Sequence, residues 1–213
     1  MGGTADPFRA RARPEPEARP VKAPLRLPGV RRIIHRRRLA STQTLARRLA
    51  DEGAPAWTLV WADRQTRGRG RMDRRWSSAE GGLYFSLILR PRVAPAELAR
   101  MSVQAGRACA RTLGKLSGLR MRVKLPNDVL AVPPGQTRPS KLCGILIEAS
   151  GTQHELHWMV IGIGVNVNNP VPASMPEAAF PPASIRGLTG RQMDVRSVLR
   201  SLVAALTAMW GKC

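Results

Sequence analysis

Apolar positions recur along this chain in two periods, and the way the periods alternate predicts a mixed fold. Ser41 and Thr42 are placed to cap a helix that carries Leu45, Ala46 and Leu49 on one face and runs to about Asp51. Residues 57–62 read as a strand, and residues 82–90, an apolar and β-rich run, read as a buried one. Pro95 suits the first turn of a second helix, in which Leu98, Met101, Ala105, Ala108 and Leu113 are spaced for one buried face. Short strands are expected over 121–124 and 129–132, around a Pro126-Asn127-Asp128 turn, with a loop over 133–140. Residues 142–148 and 157–167 read as two further core strands, and Asp194 caps a closing helix over 195–210. Helices alternate irregularly with hairpin-like strand pairs. This predicts an α+β fold, a mixed and mostly antiparallel sheet with helices packed on one side, in preference to a doubly wound parallel sheet. Residues 1–37, rich in Pro, Arg and Ala and without apolar periodicity, read as a disordered or loosely docked extension, which leaves 38–213 as one domain.

Charge sharpens the picture. The 213 residues carry a formal net charge of +21, which points to an anionic partner, yet nearly all of the cations are arginine. Compositional drift toward arginine accounts for the excess as readily as polyanion binding does. Where such a chain still uses lysine, the compact ammonium itself has a claim to matter, and Lys124 and Lys141 stand out for that reason. Cys109, Cys143 and Cys213 show neither CxxC nor paired spacing, so no zinc site or disulfide framework is expected and a reducing cytoplasm fits. No apolar stretch approaches the roughly 18 residues that span a bilayer, so no membrane partner is expected.

Residues 63–76, DRQTRGRGRMDRRW, join dense positive charge to Gly68 and Gly70 and close on Trp76. Glycines let a backbone approach a ligand, guanidinium groups suit carboxylate or phosphate, and an indole offers a flat face to a ring. RGRGR runs also occur in disordered nucleic-acid-binding tails, but here the run leads into the 82–90 strand, as a tail would not.

Five segments then line up in order: Ser41-Thr42-Gln43; Gln65 to Arg71 with Trp76; Lys124-Leu125-Pro126-Asn127-Asp128; Lys141 to Glu148; and Gly162 to Asn168. Together they resemble the catalytic domain of biotin protein ligases, over roughly residues 39–210. The resemblance implies two steps: biotin and ATP give biotinyl-AMP and pyrophosphate, and a lysine of a biotin carboxyl carrier domain then takes the biotinyl group. It implies that Lys141, Arg69 and Arg71 supply the cations at the reacting centre. Ser41, Thr42, Gln43, Gln65, Gly68, Gly70 and Gly144 would line the biotin pocket with them, and Arg74, Trp76, Lys124, Asn127 and Asn166 would join Arg69 and Arg71 at ATP. Asp128 would hold Mg²⁺, or orient and deprotonate the incoming lysine. On local sequence alone Ser41 or Thr42 is equally a helix cap, Trp76 a core residue and Asp128 a turn residue bonding its own backbone.

The chain departs from the family pattern at Gln43 (usually Asn), Arg67 (Ala or Gly), Asp73 (Gly) and Leu125 (Trp). No winged-helix pattern precedes residue 39, so DNA is not expected as a specific partner, and the small C-terminal β domain of the family is expected to be absent. Two other readings compete: a lipoate ligase or octanoyltransferase of the same fold, and a degenerate ligase fold retained as a basic nucleic-acid-binding protein.

Overall fold

The computed structural model describes residues 25–133, 135, 137–172 and 179–211. Strand β1 (Arg32–Leu39), helix α1 (Thr42–Asp51) and strand β2 (Thr58–Gln65) come first, with β1 and β2 parallel. Strand β3 (Leu83–Leu89) follows, then helix α2 (Leu98–Ser117) behind a 3-10 turn at Pro95–Glu97. Strands β4 (Arg120–Lys124), β5 (Asp128–Val132), β6 (Ser140–Gly151) and β7 (Leu156–Val165) are succeeded by helices α3 (Ile185–Thr189) and α4 (Val195–Trp210). The seven strands form one sheet in the order β1-β2-β3-β7-β6-β5-β4, antiparallel at every step except β1–β2. The α+β class and the mostly antiparallel sheet therefore stand as expected.

Side-chain alternation sorts the two faces. Leu83, Phe85, Leu87 and Leu89 of β3 join the main core, to which α2 contributes Met101, Ala105, Cys109 and Leu113 and α4 contributes Leu199, Leu202, Val203 and Leu206. Ile88 of β3 belongs to a second core with Val60, Trp158 and Val160, covered by Ala46 and Ala50 of α1. The helices were expected on one side only; α2 and α4 do share a side, whereas α1 lies on the other, where its alanines pack against Val60, Ile88, Trp158 and Val160.

Two elements were not legible in the pattern. β1 is an edge strand whose sequence, RIIHRRRL, has too many arginines to alternate cleanly, and it lay largely within the expected extension. The boundary after residue 37 is corrected accordingly: Leu27 is buried at 5% exposure, Leu25 and Val30 pack beside it, and the Arg31 amide donates to the Trp57 carbonyl at 3.0 Å. Residues 1–24 of that extension lie outside the described residues. α3 spans five residues with Gly187 inside it, too few to show a period, and is set by the Ser184 hydroxyl, which accepts from the Gly187 amide at 3.1 Å. No helix among the described residues is long and apolar enough to cross a membrane.

Removal of residues 1–37 is thus expected to destabilise the domain, not to leave it intact. Leu27→Ala alone should cost about 2–4 kcal/mol in urea unfolding, the range for a buried leucine; a loss below about 0.5 kcal/mol would place Leu27 outside the core.

Candidate active site

The site is built on a part of the sheet that carries no side chains. On the α1 side, β7 presents Trp158, Val160 and Gly162 beneath the helix and then Gly164 beyond it. The register sets Gly164 between Tyr84 of β3 and Gly144 of β6, and Gly144 in turn against Asp128 of β5, itself opposite Lys124. One row across five strands thus reads Tyr84, Gly164, Gly144, Asp128, Lys124. Trp76 lies on the bare part of that row: a Cβ on Gly144 would come 2.8 Å from its Cζ3, and one on Gly164 2.6 Å from its Cε2 and Nε1. The indole Nε1 is buried without a hydrogen-bond partner among the described residues, so no hydrogen bond of its own fixes the ring there. In the next row a Cβ on Gly162 would overlap the Gln43 amide, which instead donates to the Val160 carbonyl at 3.3 Å.

Lys141 reaches this face through an irregularity. Val129 pairs with Cys143 and the following Leu130 pairs with Lys141, so Leu142 is an extra residue in β6. Such a bulge turns the strand by one position. Leu142 and Cys143 both enter the main core, and Lys141 comes round to the side of Gly144. Its Nζ stands 2.8 Å from Asp128 Oδ1, and Oδ1 is buried without an aligned hydrogen bond, so the pair is held chiefly by charge. The same ammonium is 5.4 Å from the centroid of the Trp76 ring. Cys143, two residues on, supplies no nucleophile. Its hydrogen bond with Cys109 and its burial push the thiol well above the ordinary range, so it stays protonated.

The Arg-Gly loop folds over the sheet as a hairpin. The Gly70 amide donates to the Arg74 carbonyl at 2.7 Å and the Trp76 amide to the Gly68 carbonyl at 3.0 Å. Met72 and Asp73 at its tip have φ of 50° and 55°, left-handed values that explain why glycine is usual in the family at the second of them. Self-repulsion of the arginines is met from within the protein: Arg69 Nη1 donates to Glu148 Oε1 at 3.1 Å, and Arg47 of α1 donates to the same oxygen at 2.8 Å. Among the described residues Arg71 makes only a 3.4 Å contact with the side-chain oxygen of Asn127, whose amide is anchored on the Ile145 carbonyl.

At the far end lies a cluster of buried hydroxyl and amide groups. Ser41 caps α1 by accepting from the Thr44 amide at 3.4 Å. The Thr42 amide and hydroxyl donate to Gln65 Oε1 at 2.7 and 3.1 Å, and the Gln65 side-chain nitrogen donates to the Ser78 hydroxyl at 2.9 Å. Ser86 Oγ stands 3.0 Å from both Thr42 Oγ1 and Gln43 Oε1.

These parts enclose a cavity of about 800 Å³, the size of a small-molecule site. All of the residues expected at the site line it except Gly68, which sits behind the loop against the Trp76 carbonyl and Ser78. Among the described residues six cations line it (Arg69, Arg71, Arg74, Arg75, Lys124 and Lys141) against two carboxylates, Asp73 and Asp128. Asn166 is buried at the rim, where its side-chain oxygen accepts from Asn169 at 3.1 Å. Sequence reasoning missed Ser86, hidden in an apolar strand, and Glu148, whose role needs two partners far away in sequence. It included Gly162 and Gly164 in a matched segment but gave neither a place in the site, because their meaning comes from what lies on them.

The chain matches the model of the Biotin/lipoate A/B protein ligase family over residues 36–166. A bifunctional ligase/repressor BirA of Bacillus subtilis is 35% identical over 175 residues, covering 80% of this chain and 51% of that protein. The chain therefore spans about half the length of the Bacillus relative. A biotin acetyl-CoA-carboxylase ligase of Paracoccus denitrificans is 35% identical over 177 residues, 81% of this chain and 70% of that one. Among solved structures, a biotin protein ligase from Aquifex aeolicus in complex with biotin and ATP superposes with a TM-score of 0.68 at 30% identity, covering 85% of this chain and 71% of that one.

Two substitutions test the geometry independently of any reaction. Gly164→Ala should lift the indole off the sheet and shift tryptophan emission to the red while the fold persists; an unchanged spectrum would mean that Trp76 is not seated there. Glu148→Gln removes the carboxylate shared by Arg47 and Arg69. For such half-exposed pairs the loss is about 1 kcal/mol, so the Gly70 and Trp76 amides should exchange roughly fivefold faster with deuterium.

Proposed function

We propose that this chain, which belongs to the biotin/lipoate A/B protein ligase family, activates biotin with ATP as biotinyl-AMP and passes the biotinyl group to a lysine of a biotin carboxyl carrier domain. The observation that carries this reading is the polarity of the two ends of the cavity. One end gathers the hydroxyl and amide groups of Ser41, Thr42, Gln43, Gln65 and Ser86, all of them buried except the half-buried Gln65, and the other gathers the cations. A ureido ring, with two N–H donors and one carbonyl, has groups to offer the first end, whereas a dithiolane or a plain acyl tail would leave those groups facing hydrocarbon. The Aquifex neighbour that holds biotin and ATP supports the same choice over lipoate.

In the first step a carboxylate oxygen of biotin attacks the α-phosphorus of ATP, and the bond to the β-phosphate oxygen breaks to release pyrophosphate. Two anions must meet, so fixed cations in a site closed to bulk water lower the barrier. Lys141, held by Asp128, is placed for the oxygens where charge develops. Arg71, bound among the described residues only to the neutral Asn127, is freer to take phosphate than Arg69, which already faces Glu148. In the second step the acceptor amine attacks the acyl carbon, the bond to AMP breaks and the nitrogen loses a proton, for which Asp128 is the nearest carboxylate to Lys141. Trp76, expected to stack on adenine, has one face committed to the glycines, so only the other is available to a base.

Mg²⁺ would neutralise phosphate charge. The described residues contain no group of three metal-binding side chains, and Asp128 is already paired with Lys141. The described residues therefore offer no ready-made metal cage, and we infer that the ion arrives on the nucleotide with Asp128 contributing at most one oxygen. A reducing cytoplasm suits the buried free thiols Cys109 and Cys143.

The direct test is incubation with labelled biotin, ATP and Mg²⁺, with lipoate and octanoate in parallel. Biotinyl-AMP alone should accumulate, and adenylation of lipoate in its place would sink the reading. Lys141→Ala should keep the fold and slow adenylate formation at least a hundredfold, the usual effect of losing one preorganised partner of a developing negative charge. Wild-type rates in the folded variant would remove Lys141 from the chemistry.

A further inference from the structure

Beyond the cavity, strand β4 carries two arginines, Arg120 and Arg122, that the two-step scheme has not used. It is an edge strand, and its burial alternates. Met121 and Val123 turn toward α2, where a Cβ on Gly114 would meet Met121 and one on Gly106 would meet Val123. Arg120, Arg122 and Lys124 therefore point to the opposite side, the side of the cavity, and all three are exposed. Alternate positions on a strand are roughly 7 Å apart, so the three charges form a row about 13 Å long. The row starts at the cavity wall, where Lys124 lies 5.4 Å over the Phe180 ring, and runs outward to Arg120. Across the strand pair, Arg120 and Arg122 face Val132 and Leu130, which bring no carboxylate to neutralise them.

At the cavity end the row meets the two large hydrophobic side chains that, among the described residues, stand out in solvent, Met72 at 73% exposure and Leu125 at 61%. Both line the cavity mouth, one from the Arg-Gly loop and one from the β4–β5 turn. An apolar pair beside a row of cations that have no ion pair among the described residues is the make-up of a protein-binding surface, with greasy contacts at the centre and charge at the rim for steering. A nucleic acid would use the cations but has little use for a methionine and a leucine.

We propose that this face of β4, with Met72 and Leu125 at its inner end, is where the acceptor protein docks, and that the acceptor presents carboxylates flanking its target lysine. The proposal rests on the ligase reading above. It adds the partner's chemistry and its direction of approach: the acceptor's acidic flank lies along Lys124, Arg122 and Arg120, and its lysine enters over Leu125 toward Asp128.

The test separates the two half-reactions, so that failure of the proposal is distinct from failure of the ligase reading. Adenylate formation is measured first for wild type, Arg120→Glu/Arg122→Glu and the milder Arg122→Gln; neither arginine lines the cavity, so all three should be equal. Transfer from preformed adenylate to a purified carrier domain is then followed. The double variant should lose tenfold or more in kcat/KM for the acceptor, mainly through KM, and Arg122→Gln a smaller factor. Raising salt should lower kcat/KM steeply in wild type and weakly in the double variant. Replacing an acidic residue beside the acceptor lysine with Lys should harm the wild type and harm the double variant less. Equal transfer by all three proteins would overturn the proposal. So would a double variant that loses binding to mixed-sequence duplex DNA while transfer is untouched, which would make the row a polyanion surface. If the wild type forms no adenylate at all, the ligase reading fails and the docking proposal falls with it.

Discussion

The site depends on keeping one patch of a seven-stranded sheet free of side chains. A β-strand offers something to each face at every second residue, and in a core that something is normally an apolar group with a partner. At Gly144, Gly162 and Gly164 nothing is offered, and groups from elsewhere fill the space: an indole carried by a loop and a glutamine carried by a helix. The glycines forgo burial and cost strand stability. The offset is that Trp76 fills the volume above two of them, so the patch is bare of its own side chains without being a void. The same emptiness lets a loop, a helix N-terminus and a turn converge on the sheet from three directions.

Electrostatics follows a similar economy. A loop with this density of arginine would repel itself, and an outside anion is the obvious remedy. The fold supplies part of the remedy internally, with Glu148 bridging Arg47 and Arg69 across α1, β6 and the loop, and Asp128 facing Lys141. Among the described residues the carboxylates are fewer than the cations around the cavity, so their balance stays positive while individual side chains have fixed positions. Preorganisation of this kind, in which charge is oriented before the reaction starts, is what makes a cation effective at a transition state.

Much of this was legible in the amino-acid order, and the reasons differ by element. Central strands such as β3 and long helices such as α2 and α4 write their burial directly into their periods, because most of their neighbours are core. β1 was hidden because an edge strand needs few apolar residues and this one is half arginine, and α3 because five residues hold barely one turn. The site residues were recognisable through local motifs wherever the chemistry sits on contiguous segments. Ser86 and Glu148 were not, since each acts through residues tens of positions away: Ser86 through Thr42 and Gln43, Glu148 through Arg47 and Arg69. The turn signals at Met72 and Asp73 were equally silent, because neither residue type announces a left-handed backbone.

The extra residue in β6 makes the position of the lysine a matter of parity. Side chains on a strand point up or down according to whether the count from a paired neighbour is even or odd, and Leu142 adds one to that count between Gly144 and Lys141. Substitutions along this stretch change the fit by degrees, but losing or gaining a single residue would turn the ammonium into the hydrocarbon core and bring an apolar side chain out in its place. Length variation between Ser140 and Gly144 can therefore be accommodated only in steps of two, however well each residue type is preserved.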